Sequence, residues 1–66
     1  MDITINGAVK RVAADATLAD ILADLGLPPA KVAIERNREI TPRSAYAATQ
    51  LEPGDRLEIV HFIGGG

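Results

Sequence analysis

The 66-residue chain has no cysteine, no tryptophan and a single histidine, His61. Without thiols it can form no disulfide and none of the thiolate sites that structural zinc favours. Aromatics are nearly as scarce. Tyr46 and Phe62 stand alone, and 11 of the 31 hydrophobic residues are alanine. The core therefore falls to 18 residues of Ile, Leu, Val and Met plus those two rings. A chain this short buries only about 60% of the surface it exposes when unfolded. Aliphatic packing has to hold it without a staple, and its length allows one domain.

An excess of basic charge is missing too. Seven Lys and Arg against nine Asp and Glu leave a net charge of −2, which argues against nucleic acid as a partner. No apolar run approaches the roughly 18 residues of a membrane span. The acidic, β-patterned start is unlike a signal peptide, so the expected location is cytoplasmic, with no membrane partner. Catalytic groupings are absent as well. Ser44 follows Pro42-Arg43 with no elbow or triad around it, and no glycine-rich loop precedes a helix to cradle phosphate. These absences point away from an enzyme and from a bound metal or cofactor. A binding module, a carrier or a small subunit remains.

The pattern that is present reads as a series of short elements. Asp2-Ile3-Thr4-Ile5 alternates as a half-buried strand, and Asn6-Gly7 is a hairpin signal because both central residues of a type I′ turn need positive φ. A second strand follows over 9–13. A two-residue loop pairs Ile3 with Lys10 and puts that lysine on the isoleucine face; a loop one residue longer turns Val9 inward instead. Thr17 can cap a helix over 18–25, with Asp20 standing in for the Glu of a capping box. Leu18, Ile21, Leu22 and Leu25 form its apolar stripe, and Gly26 with Pro28-Pro29 ends it. Asp20 and Asp24 lie on its outer side, read first as a solvated face and second as an acidic docking face.

Val32 to Glu35 reads as a third strand, with Arg36-Asn37-Arg38 turning into Glu39-Ile40, and Pro42 breaking the ladder. Residues 44–49 suggest one helical turn with Tyr46 inward. Glu52-Pro53-Gly54-Asp55 is a turn, and residues 56–63 form the last strand. Two long apolar-alternating strands at the ends, lying parallel in the middle of a mixed sheet with one helix on one face, make an α+β fold: the β-grasp, or ubiquitin-like, arrangement. The expected division is a β-grasp domain over 1–62 and a flexible glycine tail over 63–66.

The last strand separates its faces by parity. If the helix covers Leu57 and Ile59, then Val60 and Phe62 stand on the open face and, with Ile63, offer a patch for partner docking. His61 shares the parity of Ile59 and reads first as a partly covered edge histidine. Gly64-Gly65-Gly66 cannot pack and carries maximal backbone entropy. Such an end is either a loose terminus or a thread for a channel too narrow for any Cβ. Extended, four residues reach roughly 13 Å at about 3.3 Å each.

Taken together, several segments resemble one family over essentially the whole chain. They are Asp2-Ile3-Thr4-Ile5-Asn6-Gly7, Thr17-Leu18-Ala19-Asp20-Ile21-Leu22, Val32-Ala33-Ile34-Glu35-Arg36-Asn37-Arg38-Glu39-Ile40, Pro53-Gly54-Asp55-Arg56-Leu57-Glu58-Ile59-Val60 and His61-Phe62-Ile63-Gly64-Gly65-Gly66. The chain resembles the ThiS family, sulfur carrier proteins of thiamine thiazole biosynthesis. The terminal Gly-Gly is shared by ubiquitin-like modifiers in general; the specificity lies in the Glu-Arg-Asn segment and the Ile-Val-His-Phe-Ile ending.

The resemblance implies a carrier that acts as co-substrate. A ubiquitin-activating-like adenylyltransferase would use ATP and magnesium to adenylate the carboxylate of Gly66. Sulfur drawn from a cysteine desulfurase would convert it to a thiocarboxylate, and thiazole synthase would accept that sulfur. Gly64 and Gly65 would be the thread, and no phosphopantetheine arm is involved. Arg36, Arg38 and Arg43 read first as solvated turn charges and second as contacts to an acidic partner surface. The alternatives are a sulfur carrier for molybdopterin or another thio-cofactor, and a β-grasp interaction module that carries no sulfur.

Overall fold

The computed structural model describes residues 1–62. Strands β1 (Asp2–Ile5) and β2 (Ala8–Arg11) pair antiparallel, with Ile5 opposite Ala8 and Ile3 opposite Lys10. The loop is therefore the two-residue one, with Asn6 at φ 50° and Gly7 at φ 85°. This settles the register: Lys10 lies half-buried on the isoleucine face and Val9 is exposed on the other. β2 ends at Arg11, opposite Asp2, rather than at 13, and two further bonds, the Val12 amide to the Met1 carbonyl at 2.8 Å and the Met1 ammonium to the Val12 carbonyl at 2.7 Å, close the ladder.

Helix α1 (Leu18–Leu25) has the expected bounds. The Thr17 hydroxyl accepts from the Asp20 amide at 3.2 Å, and the Asp20 carboxylate accepts from the Thr17 amide at 2.9 Å. Two orphan donors of the first turn are thus satisfied by one pair of side chains. Gly26 closes the helix at φ 70°, a left-handed conformation that costs glycine little. Leu18, Ile21 and Leu22 are buried, whereas Leu25, in the last turn, is 40% exposed.

Strands β3 (Val32–Arg36), β4 (Glu39–Thr41) and β5 (Arg56–His61) complete a five-stranded sheet in the order β2-β1-β5-β3-β4. β5 runs parallel to β1 and antiparallel to β3, which is the β-grasp arrangement with the two terminal strands at the centre. β3 extends one residue past expectation because Arg36 pairs with Glu39, leaving Asn37-Arg38 as the turn. β5 stops two residues short of 63: its partner β3 begins at Val32, opposite His61, and Ile63 lies outside the described residues.

The helical turn expected at 44–49 is a 3-10 turn at Arg43–Ala45, started earlier by Pro42, whose φ of −66° already suits it. Tyr46 does turn inward. Its carbonyl accepts from Ala19 and that of Thr49 from Leu18, so this segment docks on the start of α1. The core lies between α1 and one face of the sheet, where Ile3, Val32, Ile34, Leu57 and Ile59 meet Leu18, Ile21 and Leu22, with Tyr46 and Leu51 closing the side. Each fully buried aliphatic chain contributes about 1.5–3 kcal/mol.

Candidate functional site

The face of the sheet away from α1 follows from the pairings. Thr4 lies beside Val9 and Arg56; Glu58 lies opposite Glu35, which lies opposite Ile40; Val60 lies opposite Ala33. Large hydrophobics that this face leaves to solvent are Val9 (73% exposed), Ile40 (70%), Val60 (58%) and Phe62 (52%). Val60 and Phe62 therefore stand where the parity of the last strand put them. Phe62 follows β5 and is held by its amide, which donates to the Lys31 carbonyl at 2.7 Å. Ile63, Gly64, Gly65 and Gly66 lie outside the described residues.

Two polar devices fix β5 beneath this face. The first is Asn6. Its carboxamide oxygen accepts from the Ile59 amide at 2.8 Å and its nitrogen donates to the Ile59 carbonyl at 3.2 Å. One side chain thereby stands in for the next residue of β1 and prolongs the parallel ladder. Among the described residues β1 pairs with β5 only at Arg56 and Leu57, and His61 is exposed rather than partly covered.

The second device is Asp55, only 5% exposed. One carboxylate oxygen accepts from Arg36 Nε at 2.8 Å and from the Glu52 amide at 2.9 Å; the other accepts from Asn37 Nδ2 at 3.0 Å. Asn37 in turn accepts from the Arg56 amide at 2.9 Å. Burial alone would push the Asp55 carboxyl up, but the Glu52 amide, the Asn37 side chain and the Arg36 guanidinium together hold it below its ordinary value. Arg36 is thus paired within the molecule through its Nε rather than simply solvated, with its side chain 27% exposed. The pairs are 18 and 19 residues apart, so no local pattern announced them. The signal available was a lone Asp following Pro53-Gly54, next to a strand that had to be anchored.

Asn37, Arg38, Arg56 and Glu58 line a depression on the open face. Ion pairs among the described residues are Arg11 with Asp2 at 3.5 Å and Arg36 with Asp55 at 2.8 Å; Arg38 and Arg56 enter neither. Glu35 and Glu58, directly opposite each other, put two like charges side by side. Asp20 has its carboxylate spent on the helix cap, and Asp20 and Asp24 are both exposed on the far side of α1. Among the described residues no three His, Asp or Glu side chains come together to hold a metal ion, and no helix is long and apolar enough to cross a membrane.

Comparison with known proteins adds four findings. The model of the ThiS family matches residues 3–66. The chain is 44% identical over 50 residues to the sulfur carrier protein ThiS of Bacillus subtilis, a match covering 76% of each. It is 48% identical over all 66 residues to a thiazole synthase of Paramagnetospirillum magneticum, but spans only 20% of that relative's length. Among solved structures, the thiamine biosynthesis protein ThiS of Geobacter metallireducens superposes with a TM-score of 0.82 at 35% identity, covering 100% of both chains.

Proposed function

Because the chain belongs to the ThiS family, we propose that it is a sulfur carrier of thiamine biosynthesis whose working group is the carboxylate of Gly66. That carboxylate attacks the α-phosphate of ATP, with magnesium, in a partner of the ubiquitin-activating type. Pyrophosphate leaves, and the acyl-adenylate turns a poor acyl donor into a good one. The terminal sulfur of a persulfide supplied by a cysteine desulfurase then attacks the acyl carbon and displaces AMP. A second thiol takes up the other half of the resulting acyl disulfide as a disulfide, releasing a thiocarboxylate that thiazole synthase consumes. The carrier is a co-substrate in the cytoplasm, and the chemistry belongs to its partners.

The ThiS match over residues 3–66 carries this reading. The fold supports it physically: the central strand β5 leads directly toward the glycines, and its exposed Val60 and Phe62 give a partner an apolar seat beside them. Ile63 would extend that seat, and Gly64 and Gly65 would pass a channel that excludes any Cβ. A thiazole synthase with a segment 48% identical to this chain favours thiazole synthase as the acceptor.

The test is the intact mass of the protein after incubation with purified adenylating enzyme, ATP, magnesium and a sulfide source. A gain equal to one oxygen exchanged for sulfur, lost when Gly66 is deleted, is expected. An unchanged mass, with an enzyme competent on another carrier, would refute the proposal.

A further inference from the structure

The protein builds one kind of turn twice. The β1–β2 hairpin turns through Asn6 and Gly7, at φ 50° and 85°; the β3–β4 hairpin turns through Asn37 and Arg38, at φ 52° and 72°. Positive φ at both central residues suits Asn followed by Gly, because the second position crowds any Cβ. Arginine there is strained, and the turn gains nothing visible in return. Arg38 is exposed and enters no ion pair among the described residues, and the bonds that tie the turn to β5 run through Asn37. A strained side chain held in place by its surroundings is a pointer to function.

Its setting says which function. Arg38 and Arg56 border one depression with Glu58, two cations against one carboxylate. From that depression the open face changes character along β5. Arg56 comes first, then Glu58 with Glu35 beside it, then Val60, and finally Phe62, where the described chain meets residues 63–66. The face is therefore polar in a fixed order, cationic at the end remote from the glycines and apolar at the end next to them.

We propose that Arg38 and Arg56 form a cationic anchor for an acidic side chain on the adenylating partner, and that this anchor sets the direction in which the carrier is seated. The inference rests on the carrier reading above. Seated one way, a partner acid meets the two arginines and the apolar end lies over the entrance for residues 63–66. Seated the other way, the acid meets the apolar Val60 and Phe62, and the arginines face the partner's apolar surface, so charges on both sides are left without a counterpart. Charges desolvated against apolar surface without a partner penalise that orientation.

Arg38→Gly tests this, because it removes the cation while giving the turn the residue its backbone prefers. The melting temperature should hold or rise by a few degrees. The Kd for purified adenylating enzyme should rise about three- to tenfold, and the salt dependence of the association rate should flatten. Arg38→Lys, which keeps the charge, should stay within about twofold of wild type. Unchanged affinity in Arg38→Gly, or equal losses in the Gly and Lys variants, overturns the anchor. If the wild type is adenylated normally beside an unimpaired Arg38→Gly, only the anchor falls. A wild type that fails to bind or be adenylated removes the carrier reading itself.

Discussion

Asp55→Asn is the substitution that probes the buried polar hub most directly. The carboxylate accepts from three donors: Arg36 Nε at 2.8 Å, the Glu52 amide at 2.9 Å and Asn37 Nδ2 at 3.0 Å. An asparagine has one acceptor oxygen and one NH2. Placed to keep Arg36 and Glu52, it must point its NH2 at the NH2 of Asn37. Asn37 cannot reverse its own amide, because its oxygen accepts from Arg56. One buried donor is left unsatisfied, at about 1–3 kcal/mol, and the charge assistance to Arg36 is lost. That second loss is small, since the Arg36 side chain is 27% exposed and partly screened. The total comes to about 2 kcal/mol at pH 7, a large share of the roughly 3–10 kcal/mol expected for 66 residues.

The pH dependence has a definite sign. The folded-state pKa of Asp55 is lowered, so its contribution is fully present above the ordinary carboxylate value of about 4 and is lost as pH falls through the folded value. Urea unfolding followed by far-ultraviolet circular dichroism, at pH 7 and in acid, should show the gap between wild type and Asp55→Asn narrowing in acid. A gap below about 0.5 kcal/mol at pH 7, or one that widens on acidification, would refute the reasoning.

Two further substitutions separate stability from binding. Thr17→Ala removes the hydroxyl that accepts from the Asp20 amide, while its own backbone amide still donates to the Asp20 carboxylate; it should destabilise by about 1 kcal/mol, with Thr17→Ser close to wild type in the same unfolding assay. Phe62→Ala should leave the melting temperature nearly unchanged, because the ring is 52% exposed, yet weaken binding to the adenylating enzyme by about tenfold, measured by titration calorimetry. A marked loss of stability with intact binding would make Phe62 a packing residue.

What the sequence revealed was local chemistry. Thr17, Asp20 and Gly26 delimit α1 because caps act within a turn of the chain, and Asn6-Gly7 announces its hairpin for the same reason. The alternation of β5 is equally local: with Leu57 and Ile59 in the core, Val60 faces out. What stayed hidden depends on distance or on an unusual residue. Lys10 could not be placed until Ile3 was seen opposite it. Arg36 finds Asp55 across 19 positions, and Asn6 finds Ile59 across 53. The turn around Asn37 was legible, but not that it is a two-residue turn at positive φ, because arginine carries no signal for that conformation.

The side-chain amide of Asn6 has one more consequence, for the order in which the molecule can assemble. No ladder joins the β1–β2 hairpin to the β3–β4 hairpin; each is held to the other through β5, which comes after all four strands in the chain. During synthesis both hairpins leave the ribosome before the strand that unites them, so neither half has a sheet to complete. Folding must wait for the closing contacts of highest sequence separation, which are the slowest to form. Asn6 waits with its two hydrogen bonds unmade until Ile59 arrives, and that late junction turns two separate hairpins into one cooperative unit.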